Sequence, residues 1–141
     1  MKNKLGVIIC ALCFISLNLN AGQIKIVVSN VEEKIGTIHF GVYNSPETFL
    51  ENDSRVLGGY EAVDKVLKDG LLIKDLDEAT YALAIYHDKN SNQKFDSFLS
   101  IPQEMYGFSK NAKVFFGPPK FEDASVFVGR DDIVELNIEL R

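Results

Sequence analysis

The chain contains no tryptophan, only two cysteines and four prolines, and no surplus of positive charge: 15 basic residues stand against 20 acidic ones, a formal charge of −5. Binding the phosphate backbone draws on a basic surface, so nucleic acid is excluded as a partner. Two cysteines cannot build a cysteine-dense disulfide scaffold. Long apolar runs are scarce as well. The one present, Leu5 to Leu19, falls short of the roughly 20 residues that a comfortable membrane span needs. Disorder is excluded by the remaining composition, 46% hydrophobic and 11% aromatic with 25% charged, which is ordinary for a globular domain.

The apolar run belongs to a separate segment. Lys2 and Lys4 give a positive start, Leu5 to Leu19 form the hydrophobic stretch, and Asn20-Ala21 ends it on a small residue. That is the order of a secretory signal, so residues 1–21 are expected to be a signal peptide and residues 22–141 one domain. Cys10 and Cys13 follow Ile9 and Leu12, where lipid attachment wants a small residue, and both lie inside the run. Removing the signal takes both cysteines, two lysines and no acids. The remaining 120 residues carry 13 basic and 20 acidic side chains, a charge of −7. A cysteine-free, acidic, exported domain suits a periplasm or the external medium, with no stable membrane insertion after cleavage.

The rest of the chain alternates with period two. Residues 22–30 place Ile24, Ile26 and Val28 on one face, and residues 35–43 place Ile38, Phe40 and Val42 on one face. Joined by Asn30 to Lys34, they predict a hairpin. Ser45-Pro46-Glu47 predicts a helical turn to about Glu51, with Phe49 tucked onto the core. Residues 60–67 carry Val63, Val66 and Leu67 at helical spacing, but the Asp69-Gly70 turn signal and the strand-like surroundings favour a second hairpin with residues 70–76. Tyr81 to His87 reads as a central strand, because alanines on its second face leave room for close packing. Val114 to Phe116 adds a short strand, and residues 125–129 and 133–140 close the chain. About seven strands imply an all-β fold, a seven-stranded antiparallel sandwich with a long structured crossover over residues 88–123. Connections of that length usually carry structure or function.

The sharpest motif is HDKNSNQKFD, residues 87–96. Asp88, Asn90, Asn92 and Asp96 fall at relative positions 1, 3, 5 and 9, and Lys94 offers a backbone carbonyl at position 7. Short oxygen-bearing side chains at alternate positions converge on a hard cation when a loop curls, and Ca²⁺ takes six to eight oxygens. The departures from an EF-hand are specific: Gln93 stands where glycine eases the turn, Leu99 stands where a bidentate glutamate closes the shell, and a strand precedes the loop. Glu104, Glu122 or Asp123 supplies the missing carboxylate only if the fold brings it round. The alternative is a polar loop whose Asp and Asn side chains cap their own backbone. An incomplete ligand set implies weak binding, about 10⁻⁴ to 10⁻³ M, and an ordering role for the ion.

Catalytic constellations are missing from the pattern. His87 and His39 lie on different strands without metal-ligand spacing. Ser109 lacks the glycines of a nucleophile elbow, and Gly58-Gly59 reads as a turn. The aromatics Tyr106, Phe108, Phe115, Phe116 and Phe121 gather in the crossover, where they form a satellite core, cover an open edge or line a groove.

HDKNSNQKFD, IPQEMYGFSKNAK and FGPPKFEDASVFV, in this order and spacing, resemble a secreted family known as domain of unknown function 2141. Its pattern is similar to HDxNxNGxxD, PxExYGFSNNA and GPPxFxDAxF. The matching residues are Asp88, Asn90, Asn92, Asp96, Pro102, Glu104, Tyr106, Gly107, Phe108, Ser109, Asn111, Ala112, Pro119, Phe121, Asp123 and Ala124, while Gln93 and Lys110 depart where glycine and asparagine are usual. A weaker similarity is to transthyretin-like and carboxypeptidase regulatory-type sandwiches. There Leu76 and Tyr81 match and the intervening prolines and glycine do not, with Tyr81 placed for a tyrosine-corner hydrogen bond. The resemblance implies an immunoglobulin- or transthyretin-like sandwich and export, with no activity attached.

Three functional expectations follow. The first is a non-enzymatic binding or accessory module, with Ca²⁺ held by residues 88–96. The second is a small-ligand binder or enzyme with a pocket under the crossover lined by His87, Glu104, Tyr106, Phe108 and Ser109. The third is a structural or adhesive protein of the cell envelope.

Overall fold

The computed structural model describes residues 21–141; the signal-peptide expectation, with Cys10 and Cys13, lies outside the described residues apart from Ala21. The chain is mostly β. Its strands are β1 (Gly22–Ser29), β2 (Thr37–Tyr43), β3 (Leu57–Ala62), β4 (Leu71–Leu76), β5 (Ala79–Asp88), β6 (Ser97–Phe98), β7 (Ile101–Pro102), β8 (Tyr106–Phe108), β9 (Val126–Val128) and β10 (Ile133–Glu139). Helix α1 (Val63–Asp69) follows β3 and the single turn α2 (Phe121–Ala124) precedes β9. One sheet has the order β10-β1-β4 and the other β3-β2-β5-β8, with β9 continuing along β5. They enclose a shared core that includes Ile24, Ile26, Ile38, Leu83, Ile85 and Ile138, in a sandwich-like arrangement. Ten strands replace the expected seven among the described residues, because three segments of two or three residues, β6, β7 and β8, pair within the crossover.

The first hairpin does not form. β1 pairs with β10 and β4, whereas β2 pairs with β3 and β5. The two strands present their apolar faces to each other across the core rather than sharing an edge. Alternation specifies which face is buried and leaves the hydrogen-bonding neighbour open. The crossing turn is anchored by the Asn30 amide, which donates to the Leu140 carbonyl at 2.7 Å. The β1–β10 pair is parallel, so the expectation of a purely antiparallel fold also fails at this edge.

The second hairpin is corrected too. Residues 57–62 are strand and 63–69 are helix, with Val63 and Val66 turned into the core. Gly70 takes φ 76° and donates its N–H to the Val66 carbonyl at 2.8 Å. The Asp-Gly pair therefore ends a helix: a glycine after the last turn serves a helix end as readily as a hairpin. The predicted helical turn at 45–51 is bent chain followed by a 3₁₀ turn at Asn52–Ser54, although Phe49 does pack on a core. Val114 to Phe116 forms no strand.

The central-strand expectation holds. β5 is flanked by β2 and β8, and Tyr81, Ala82, Leu83, Ile85, His87 and Asp88 are all buried. Tyr81 donates its hydroxyl to the Asp77 carbonyl at 2.8 Å, the tyrosine-corner bond. On the outer face of this sheet, Ala82 meets Tyr43, Phe108, Ala112, Phe121 and Ala124 in a second core beneath the crossover. A Cβ at Gly107 would stand 2.7 Å from Ile138 and 2.9 Å from the Glu139 carbonyl, so β8 crosses the β10 edge where only glycine fits.

Candidate functional site

The crossover covers only one end of the outer face of β3-β2-β5-β8. The uncovered end is built by strand register. His39 pairs with Tyr60 on one side and Tyr86 on the other, and Tyr86 pairs with Tyr106, which puts one ring on each of four strands. His39 stacks between Tyr60 and Tyr86 with centroids 4.9 and 4.7 Å away. Phe95 closes edge-on against Tyr86 and Tyr106 at 5.4 and 5.9 Å. The next row is Gly58, Gly41 and Ala84, too small to fill the surface. The result is an open groove of about 1030 Å³ whose lining includes His39, Arg55, Tyr60, Tyr86, Lys94 and Phe95 and no carboxylate.

One wall of the groove is the 88–96 loop. Asp88 is fully buried. Its Oδ1 accepts the Asn92 N–H at 3.1 Å and its Oδ2 the Gln93 N–H at 2.7 Å, while His39 Nε2 lies 3.2 Å from Oδ2. The Asn90 and Asn92 amides both donate to the Asp96 carboxylate, at 2.8 and 2.9 Å. Asn90 Oδ1 and Asn92 Oδ1 accept the N–H groups of Asn92 and Lys94. These are the Asx-type bonds expected of a polar loop. Gln93 takes φ 62°, the left-handed conformation that explains glycine at this place in the resembled pattern.

Glu104 is the carboxylate that the fold brings round: its Oε2 accepts the Asp96 N–H at 3.0 Å. Its Oε1 is buried with no hydrogen-bond partner among the described residues. Burial pushes the Glu104 carboxyl above its usual range. Asp88 and Asp96 add to the rise, and the backbone N–H groups of Asp96 and Lys89 oppose it. The Tyr86 hydroxyl is pushed up to about 12, first by burial and then by the negative field of Asp88, Glu104 and Asp96. Among the described residues no three His, Cys, Asp or Glu side chains stand together as a metal-binding group, Asp88, Asp96 and Glu104 included.

Burial also lowers the His39 pKa, outweighing the attraction and hydrogen bond of Asp88, and Arg55 pushes the same way as burial. His39 is therefore neutral in the fold, and its contact with Asp88 is a hydrogen bond rather than an ion pair. A lowered pKa contributes stability that is present above the unfolded value of 6.5 and lost as pH falls through the folded value. Acidification from pH 6.5 should accordingly lower the melting temperature, and His39→Gln should flatten that loss. An equally steep loss in the variant would contradict the assignment. Glu104 has the opposite sign, its stabilisation being present below 4.5 and lost as pH rises through its raised value, so acidification works in opposite directions at the two groups.

The other expected ligand-binding residues disperse. His87 points into the sandwich and donates Nε2–H to the Ile35 carbonyl at 2.6 Å. Ser109 is fully buried, accepting the Leu83 N–H at 2.9 Å and donating to the Ala124 carbonyl at 2.5 Å. Phe108 lies in the second core, and Tyr106 borders the aromatic row. No sequence motif singles out Tyr60, Tyr86, Phe95 or Arg55, and His39 stands out only by lacking metal-ligand spacing to His87. The available signal was the outward face of β2, where Thr37, His39 and Gly41 alternate with buried Ile38 and Val42.

No curated protein and no solved structure matches this chain. A family model described as an uncharacterized protein conserved in bacteria matches residues 26–135, which takes in the aromatic row and the whole 88–104 segment. The chain belongs to this bacterial family, DUF2141.

Proposed function

We propose that the chain is an exported, non-enzymatic binding module whose 88–104 segment takes up Ca²⁺ and thereby holds one wall of the aromatic groove. The observation that carries this reading is the gathering of Asp88, Asn90, Asn92, Asp96 and Glu104 into one bonded cluster with Glu104 Oε1 buried and unpartnered. The Asn90 and Asn92 oxygens each hold a backbone N–H, so the carboxylates of Asp88, Asp96 and Glu104 would supply the charge for the ion. Asp88 Oδ1 keeps a second lone pair beyond the one bonded to Asn92. A cation would also relieve the repulsion that raises Glu104. Gln93, Lys94 and Phe95, within the same segment, line the groove, so ordering the loop orders the wall. Rings beside Lys94 suit a small ligand that has a flat face and an acidic group. The framework is of the immunoglobulin- or transthyretin-like kind, a reading supported by the Tyr81 corner bond.

With a dissociation constant near 10⁻³ M, about 10 mM Ca²⁺ adds roughly 1.4 kcal/mol to stability. For a domain of this size that raises the melting temperature by about 5 °C. Mg²⁺ at the same concentration should do less, since it demands tighter octahedral geometry. Asp96→Asn and Glu104→Gln should each abolish the rise. An unchanged melting temperature in Ca²⁺, or a rise that survives both substitutions, would reject the ion site. Asp88→Ala is unsuited to this test, because Asp88 supports the loop with or without an ion.

A further inference from the structure

Opposite in character to the groove is the apex of the crossover. Phe115 is 80% exposed and Phe116 fully exposed, next to each other in sequence. Both sides of the apex are fixed. Ala112 and Val114 pack on the second core before it, and Pro119 and Phe121 are buried after it. Gly117 takes φ 153° directly after the pair, with open space around it. The fold therefore holds two phenyl rings out in water. Isolated exposed apolar residues are normal on protein surfaces, but adjacent ones presented by an anchored loop mark an interaction site.

Charge indicates the partner. Residues 110–120 hold Lys110, Lys113 and Lys120 and no acid, on a chain with five more acidic than basic residues. Lys113, Phe115, Phe116 and Lys120 share one concavity of about 480 Å³, in which Asp123 is the only carboxylate. Apolar rings at the centre with ammonium groups around them fit the interface of an anionic bilayer, where the rings enter the acyl boundary and the lysines meet headgroups. Area argues against a protein surface: two Phe side chains bury about 500 Å² at most, whereas a stable protein interface takes about 800 Å² per partner.

We infer that the Phe115–Phe116 apex, flanked by Lys113 and Lys120, is a peripheral docking point for an anionic lipid surface. It neither spans the bilayer nor depends on calcium at the 88–104 segment. The test is sedimentation of the purified chain with vesicles of phosphatidylglycerol and phosphatidylcholine in equal parts, and with phosphatidylcholine alone. The anionic vesicles should bind, and binding should fall with added salt. Phe115→Ser with Phe116→Ser should weaken association by about ten-fold or more at unchanged melting temperature, because the rings touch water in the free protein. Lys113→Gln with Lys120→Gln should weaken it on the anionic vesicles only. Every variant carries the same residues 1–21, so differences report the apex. The chain has no tryptophan, which makes Phe116→Trp a single reporter whose emission should shift to shorter wavelength on the anionic vesicles. An unshifted emission, or equal association of the double serine variant, would overturn the inference.

Discussion

Asp88→Ala is expected to destabilise the chain by about 3–5 kcal/mol, because it removes the acceptor of two buried backbone N–H groups at once. Asp88 is fully buried at the end of the central strand, and three groups depend on it. The N–H groups of Asn92 and Gln93 lose their acceptor, and hydrogen bonds to an ionised group are worth about 1.5–3 kcal/mol each. His39 loses the partner that offsets part of its burial and keeps only the Thr37 hydroxyl, 3.1 Å from Nε2. Asp88→Asn should cost about half as much, since one amide oxygen can still accept a backbone N–H. Urea unfolding gives the comparison directly, through a shifted midpoint at constant slope. A loss below about 1 kcal/mol for the alanine variant would mean that water replaces the carboxylate, and the loop would then not be anchored at its start.

Ser109→Ala should cost about 2–4 kcal/mol through a different mechanism, the stranding of two buried backbone groups. The hydroxyl accepts the Leu83 N–H and donates to the Ala124 carbonyl, so it fastens the crossover to the middle of β5. The substitution removes a single oxygen and leaves little cavity. What it strands is a donor and an acceptor in a region that water does not reach, each worth about 1–3 kcal/mol. Hydrogen exchange at the Leu83 amide should speed up more than at amides of β1 or β10. If that amide stays as protected as before, the bond is not what holds the crossover down. Ser109 was a candidate ligand-binding residue; full burial and bonds directed only at backbone make it a fastener instead.

Much of the architecture was legible in the residues. The alternation in β1, β2, β5 and β10 identified the buried faces correctly, since a two-residue period is a direct record of which side meets the core. The alanines of β5 foretold a second packed face, and Leu76 and Tyr81 foretold the corner bond. Pairing was less accessible. The apolar faces of β1 and β2 suit a hairpin and a sandwich equally, and only the competition among all strands for edges decides between them. The same limit applies to Val63–Asp69, whose helical spacing was visible beside an Asp-Gly pair that fits either ending.

The candidate site divides along the same line. Asp88, Asn90, Asn92 and Asp96 lie within nine residues of one another, so their proximity was local information. Glu104 joins them through a bond from the Asp96 N–H, a contact that depends on how β6 and β7 turn the chain back. The aromatic row takes one ring from each of four strands and has no counterpart in any short stretch of sequence.

The sequence by itself determined the class of fold, the family, the absence of cysteine from residues 22–141, and an oxygen-rich loop after the central strand. Each of these rests on composition or on neighbours a few residues apart. Only the tertiary structure decided which strands pair, that Asp88 is tied to His39, that rings from three strands and the 88–96 loop line one groove, and that Phe115 and Phe116 stand outside the second core while Phe108 and Phe121 fill it. These depend on register and on the order in which elements fill a limited core volume, and both are properties of the whole chain rather than of any segment.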